Sequence, residues 1–200
     1  ALGSGISAFL IKVAAKRNYN SEIFILLGGV FSVIIFVPVA MVFSERDTLT
    51  FGVISLSLLA GVIAATVGIF KVYALRHIDT TIYYPLFKLI SPALAIVFGM
   101  VLFAEKFSTM EWIGLLSGLF VPLLLITRSE KGRQSNLIAG LVLVVVTGVL
   151  AAVISVLNKY AIDIYQAIFW VLAFNSVGIA VGSFVTIIYK KGFRSLIDHF

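Results

Sequence analysis

The sequence predicts an all-α integral membrane protein of about seven transmembrane helices. Three observations carry that reading. Of 200 residues, 61% are hydrophobic and only 12% charged, with a mean hydropathy of +1.14, whereas a soluble domain carries about 25% charged residues. The apolar residues gather into runs of about 20, the length that crosses a ~30 Å hydrocarbon core. None of these runs alternates polar with apolar positions, as the ~10-residue strands of a membrane barrel do. Such runs must be helical, because lipid offers the backbone no hydrogen-bonding partner. The same hydrophobicity excludes a disordered chain.

Each span is delimited by charge. The first, about 1–14, is partial and closes at Lys16-Arg17. It opens in mid-pattern at Ala1, with Gly3-Ser4-Gly5 and no positively charged leader. That is unlike a secretory signal, and a missing N-terminus is expected. The second span runs about 23–43 without a charge and ends at Glu45-Arg46-Asp47. The third covers about 51–74, with Lys71 in its last turn and Arg76-His77 after it, and the fourth covers about 80–103, before Glu105-Lys106. The fifth, about 110–127, precedes the one polar connector, residues 128–136. The sixth runs about 137–158 and the seventh about 166–189, ending at Lys190-Lys191-Gly192.

Small residues recur at helix-packing spacing: Gly114 with Gly118, Gly178 with Gly182, and Ala60-Gly61 with Ala64-Ala65. Small residues four apart let helices approach closely, so all three are read as packing surfaces. There is no cysteine, which removes disulfides, thiolate metal sites and a cysteine nucleophile. The net charge of +6 comes from fifteen basic residues scattered between apolar runs. Scattered charges of this kind anchor loops, and no nucleic-acid partner is expected.

Residues 6–14 (ISAFLIKVA) align with 153–161 (VISVLNKYA), matching Leu10 to Leu157, Lys12 to Lys159 and Ala14 to Ala161. Tyr19 then falls near Tyr165, and Ile23-Phe24 on Ile168-Phe169, at an offset of about 145–147 residues. A unit of five spans is odd, so a second copy enters the membrane inverted, an architecture that recurs in secondary transporters.

Further along, Tyr73-Ala74-Leu75-Arg76-His77-Ile78 leads to Pro85 and Pro92, then to Glu105-Lys106 and to Glu111-Trp112-Ile113-Gly114. This order resembles the EamA-type domain of the drug/metabolite transporter superfamily. That domain has a YAL-x-x-I turn, a proline-bearing fourth helix, a G/A-E-R/K helix end and a glycine in the fifth helix. The resemblance implies ten helices in two inverted five-helix halves around a central cavity. It also implies a permease that exports or exchanges small metabolites without ATP hydrolysis, in the inner membrane of a bacterial or archaeal cell. On that reading residues 1–133 are one repeat and 134–200 the first two helices of a second, truncated one. A homodimer is the expected alternative means of closing the cavity.

A lysine at the bilayer centre costs roughly 2.5–3.5 kcal/mol and needs a reason to be there. Lys88 lies nine residues past Asp79, ~13 Å into its helix and near the midplane. Tyr83-Tyr84-Pro85 and Ser91-Pro92 flank it, and proline releases backbone carbonyls toward a cavity. Lys88 is expected to line a substrate path, the alternative being packing against a neighbouring helix. Tyr84 and Ser91 join it as candidates. Lys12 and Lys159 are placed near helix ends, where snorkelling competes with the cavity role that their equivalence in the repeat suggests. Asn158 and Asn175 fit either a ligand or a neighbouring helix. Lys71 is expected only to snorkel, and Glu105 to pair with a basic group at the membrane edge.

No acid is found at mid-depth, so an anionic or zwitterionic substrate such as an amino acid is expected. Catalytic residues, metal ligands and cofactors are not. An enzyme would need a nucleophile with its base or a metal cluster at membrane depth, yet the histidines are His77 and His199. A channel and a non-transporting scaffold are the remaining alternatives. Alternating spans put nine basic residues, Lys16, Arg17, Arg76, Arg128, Lys131, Arg133, Lys190, Lys191 and Arg194, on one side. Arg46, Lys106 and Lys159 fall on the other. That bias places the N-terminus outside, whereas the resemblance implies both termini inside.

Overall fold

A computed structural model describes residues 2–44, 49–125 and 137–191. They form seven α-helices: α1 (Leu2–Lys16), α2 (Ser21–Phe43), α3 (Phe51–His77), α4 (Thr80–Phe103), α5 (Thr109–Leu125), α6 (Leu137–Tyr165) and α7 (Ile168–Lys191). No strand occurs among the described residues. The Glu45-Arg46-Asp47 turn, the 128–136 connector and the tail from Gly192 lie outside them. Helices α2, α3, α4, α6 and α7 are long and apolar enough to cross a membrane, while α1 and α5 have 15 and 17 residues. The all-helical membrane fold stands as expected.

Local chemistry explains where the helices start and stop. Asn20 caps α2, its side-chain oxygen accepting the Glu22 N–H at 3.2 Å. Ser108 and Glu111 form a capping box at α5. The Glu111 carboxylate accepts from the Ser108 N–H (2.7 Å) and hydroxyl (2.9 Å), and the Glu111 N–H donates back to the Ser108 oxygen at 3.4 Å, so orphan donors at the helix start are satisfied. Helices α1, α4 and α6 are followed by Asn18, Ala104 and Gln166, all left-handed with φ of 53°, 51° and 52°. That conformation suits glycine best, which gives a reason for the G/A alternative at the helix end that Ala104-Glu105 resembles. The largest departure from expectation is α6, which continues past 158 to Tyr165. No breaker occurs before Gln166, so Lys159 lies within the helix rather than at its end.

The chain divides into two compact units. The first holds residues 1–19 and 70–156, the second 20–69 and 157–200. In the first unit α4 lies along α6, with Ile78 against Gly140 and Ile90 against Gly148. Ala74, Ile78, Tyr83 and Val144 are the buried centre, ringed by Leu75, Phe87 and Leu143. Ala74 and Ile78 belong to the YAL-x-x-I turn, so that segment forms core as well as connection. Arg76 stacks on the Tyr73 ring, 5.0 Å from its centroid, and donates to the Tyr19 carbonyl at 2.7 Å. That bond ties the end of α3 to the residues after α1.

In the second unit α2 packs antiparallel on α7, with Gly29 against the backbone of Ala180 and Glu22 against Lys190. Around Ala40 and Trp170 a core forms with Val53, Ala161, Ala167, Val171 and Ala173. Helix α3 runs parallel to α7 at backbone contact. A Cβ on Gly61 would strike the Asn175 carbonyl and Gly178, and one on Gly178 would strike the Leu58 carbonyl and Gly61. Gly182 meets Val62 and Ala65 in the same way. Two of the expected small-residue surfaces therefore pack on each other.

The third does not. Nothing described lies within 4 Å of a Cβ at Gly114 or Gly118, so their packing role is corrected: among the described residues this pair has no partner helix. Large apolar side chains cover the exterior, with Phe31, Ile34, Val42 and Val101 each more than 60% exposed, as lipid contact requires.

Gly61→Leu and Gly178→Leu are expected to destabilise the detergent-purified protein by the ~1–3 kcal/mol that overpacking costs, read as a lower melting temperature. Gly114→Leu is expected to leave it unchanged, and equal losses at all three positions would contradict this packing.

Candidate functional site

Helix α4 organises the candidate site by its phase. Tyr83, Phe87 and Ile90 share one stripe and Tyr84, Lys88 and Ser91 the next, since residues three and four apart are neighbours on a helix. The first stripe is structural. Tyr83 is fully buried, its ring stacked on Phe87 at 5.8 Å. Its hydroxyl lies 3.3 Å from the Thr147 oxygen. Thr147 donates its only proton to the Val144 carbonyl at 2.9 Å, so Tyr83 is the donor to Thr147.

Rings of both stripes surround a lysine that is expected from the sequence only to snorkel. Lys71 of α3 does not snorkel: its ammonium lies 4.9 Å from the Tyr84 ring centroid, 5.6 Å from Phe87 and 6.0 Å from Tyr83. The physical reason is that α3 continues to His77, leaving Lys71 more than a turn inside the helix with aromatic faces in reach. A desolvated cation over such a face gains ~2 kcal/mol or more. Lys88 is exposed on its stripe, one helical turn past Tyr84. Among the described residues neither lysine has a carboxylate partner. The described acids of this unit sit at helix ends. Asp79 precedes α4, Glu111 binds Ser108, and the Glu105 carboxylate folds back over Gly99, where no Cβ obstructs it. Lys12, in the same unit, is exposed on α1.

The remaining candidates lie in the second unit. Asn175 donates its side-chain amide to the Asn158 side-chain oxygen at 2.8 Å. The bond joins α7 to α6, so the neighbouring-helix reading describes this pair. The Asn175 amide oxygen is buried with no partner among the described residues. Lys159 is partly buried beside Asn158 on α6.

One feature escaped the sequence reading. Glu22 is 5% exposed in the first turn of α2, where Ser21 donates to it at 3.0 Å and Lys190 of α7 pairs with it at 2.9 Å. An acid in a first turn and a base in a last turn each complement a helix dipole. That was the available signal, although it does not reveal that the two ends meet.

Fold and site together define a multi-pass α-helical membrane protein with Lys71 and Lys88 inside helices long and apolar enough to cross a membrane. Residues 1–128 match the EamA-like transporter family, and the chain belongs to that family. It is a family of membrane transporters for small molecules, as the resemblance implied. No curated protein and no solved structure matches the chain.

Tyr83→Phe removes the donor to Thr147 and is expected to cost about 0.6 kcal/mol, the average for such bonds between membrane helices. Thr147→Val, which also removes the bond to Val144, should cost at least as much. Lys190→Met strands a buried carboxylate and is expected to lower the melting temperature more than Glu22→Gln does. The reverse order would argue against a buried pair.

Proposed function

We propose that the protein is a secondary transporter that moves small anionic or zwitterionic metabolites, amino acids or related compounds, by alternating access. Its setting in this reading is the inner membrane of a bacterial or archaeal cell. The observation that carries it is the stripe of Tyr84, Lys88 and Ser91, facing Lys71, in a helix of a transporter family with no described carboxylate beside it. A cation in a membrane-spanning helix with no described carboxylate beside it is suited to receive an anionic ligand.

Residues 1–133 are read as one five-helix repeat and 134–200 as the start of an inverted second. The antiparallel packing of α2 on α7 supports this, since these helices are equivalent under the repeat and inversion makes equivalents run oppositely. Lys12 in the first unit is proposed as a further substrate-binding residue, and so, in the second, are Lys159, Asn158 and Asn175.

The test is uptake of labelled amino acids and organic anions by liposomes containing the full-length protein. Lys88→Ala is expected to reduce uptake at least ~10-fold, as loss of a charge partner does. Uptake of a cationic dye that is equal in wild type and Lys88→Ala, with no anion moved, would overturn the proposal.

A further inference from the structure

We infer that this site is built for a dianion, a dicarboxylate or a phosphate monoester whose two negative charges engage Lys71 and Lys88 together. The inference rests on the transport reading above and specifies its substrate class.

Three features of the site lead to it. The two lysines come from different helices of one unit and share Tyr84 as a neighbour: Lys71 lies over its ring at 4.9 Å, and Lys88 follows it by one helical turn. Among the described residues no carboxylate pairs with either. A single negative charge would leave one ammonium uncompensated in a low-dielectric setting, where an unpaired charge is unfavourable. Two negative charges compensate both.

The aromatic rings make Lys71 suitable for this role. A ring face attracts the ammonium electrostatically but takes none of its three N–H donors in a conventional hydrogen bond. No described acceptor takes them either. Tyr84, Phe87 and Tyr83 thus hold the charge in position and leave its donors for a ligand oxygen. Ser91, one turn beyond Lys88, adds a hydroxyl on the same stripe.

The test uses full-length protein in liposomes and probes that differ by one charge. Succinate is set against monomethyl succinate, and methyl phosphate against dimethyl phosphate, at a pH where the dianions are fully ionised. Wild type is expected to take up the dianion of at least one pair ~10-fold or more faster than its monoanion. The pair that shows the preference separates dicarboxylate from phosphate. Lys71→Gln and Lys88→Gln should each abolish the preference, and Lys71→Arg should retain it.

Equal uptake of dianion and monoanion by wild type, unchanged in Lys71→Gln, would overturn the inference and leave the transport reading standing. If no solute of either charge moves, the transport reading fails. The inference is then decided by melting temperature in detergent. Stabilisation by succinate or methyl phosphate that is lost in Lys71→Gln supports a dianion site, and no stabilisation overturns it.

Discussion

Lipid offers the backbone no hydrogen-bonding partner and gives an apolar side chain little reason to leave it. The first fact forces each apolar run into a helix. The second removes the hydrophobic effect as the force that brings helices together, so assembly depends on how closely backbones approach. Gly61 against Gly178 and Gly29 against Ala180 answer that need in the second unit. In the first unit Gly140 and Gly148 receive Ile78 and Ile90. Close contact at these points also brings the few polar groups of neighbouring helices within reach of one another.

Those groups divide by what they join. Tyr83 with Thr147 and Asn175 with Asn158 link helix to helix through uncharged groups. Glu22 with Lys190 links the start of α2 to the end of α7. Arg76, on the Tyr19 carbonyl, fixes the end of α3 beside the residues that follow α1. Within each unit, then, the joined ends are those that alternating spans place on one side of the bilayer. Lys71 and Lys88 stand apart, because nothing described neutralises them.

Much of the fold was legible in the sequence, since charge marks where a helix leaves the hydrocarbon. The helices begin and end within a few residues of the expected limits, except α6, which continues past Lys159 to Tyr165. Contacts were less legible. The phase of α4 put Tyr84, Lys88 and Ser91 on one stripe, but no periodicity says which helix stands opposite, so Lys71 was assigned to the interface. Gly114 and Gly118 have the same spacing as Gly178 and Gly182, yet only the latter pair meets a described neighbour. Small residues permit an approach without specifying a partner. Glu22 was missed because its neutraliser lies 168 residues away in the chain.

Helix α4 contains Pro85 and Pro92, and a proline has no N–H for the carbonyl four residues before it. The carbonyls affected are those of Thr81 and Lys88. Positions 81, 85, 88 and 92 follow one another at helical spacing, so the missing bonds lie along a single line of the cylinder, and Lys88 lies on that line. A rod weakened along one line is soft in one direction and stiff in the others. Bending of α4 is thereby confined to a plane containing Lys88, and any flexing of the helix carries the Lys88 ammonium along a defined arc.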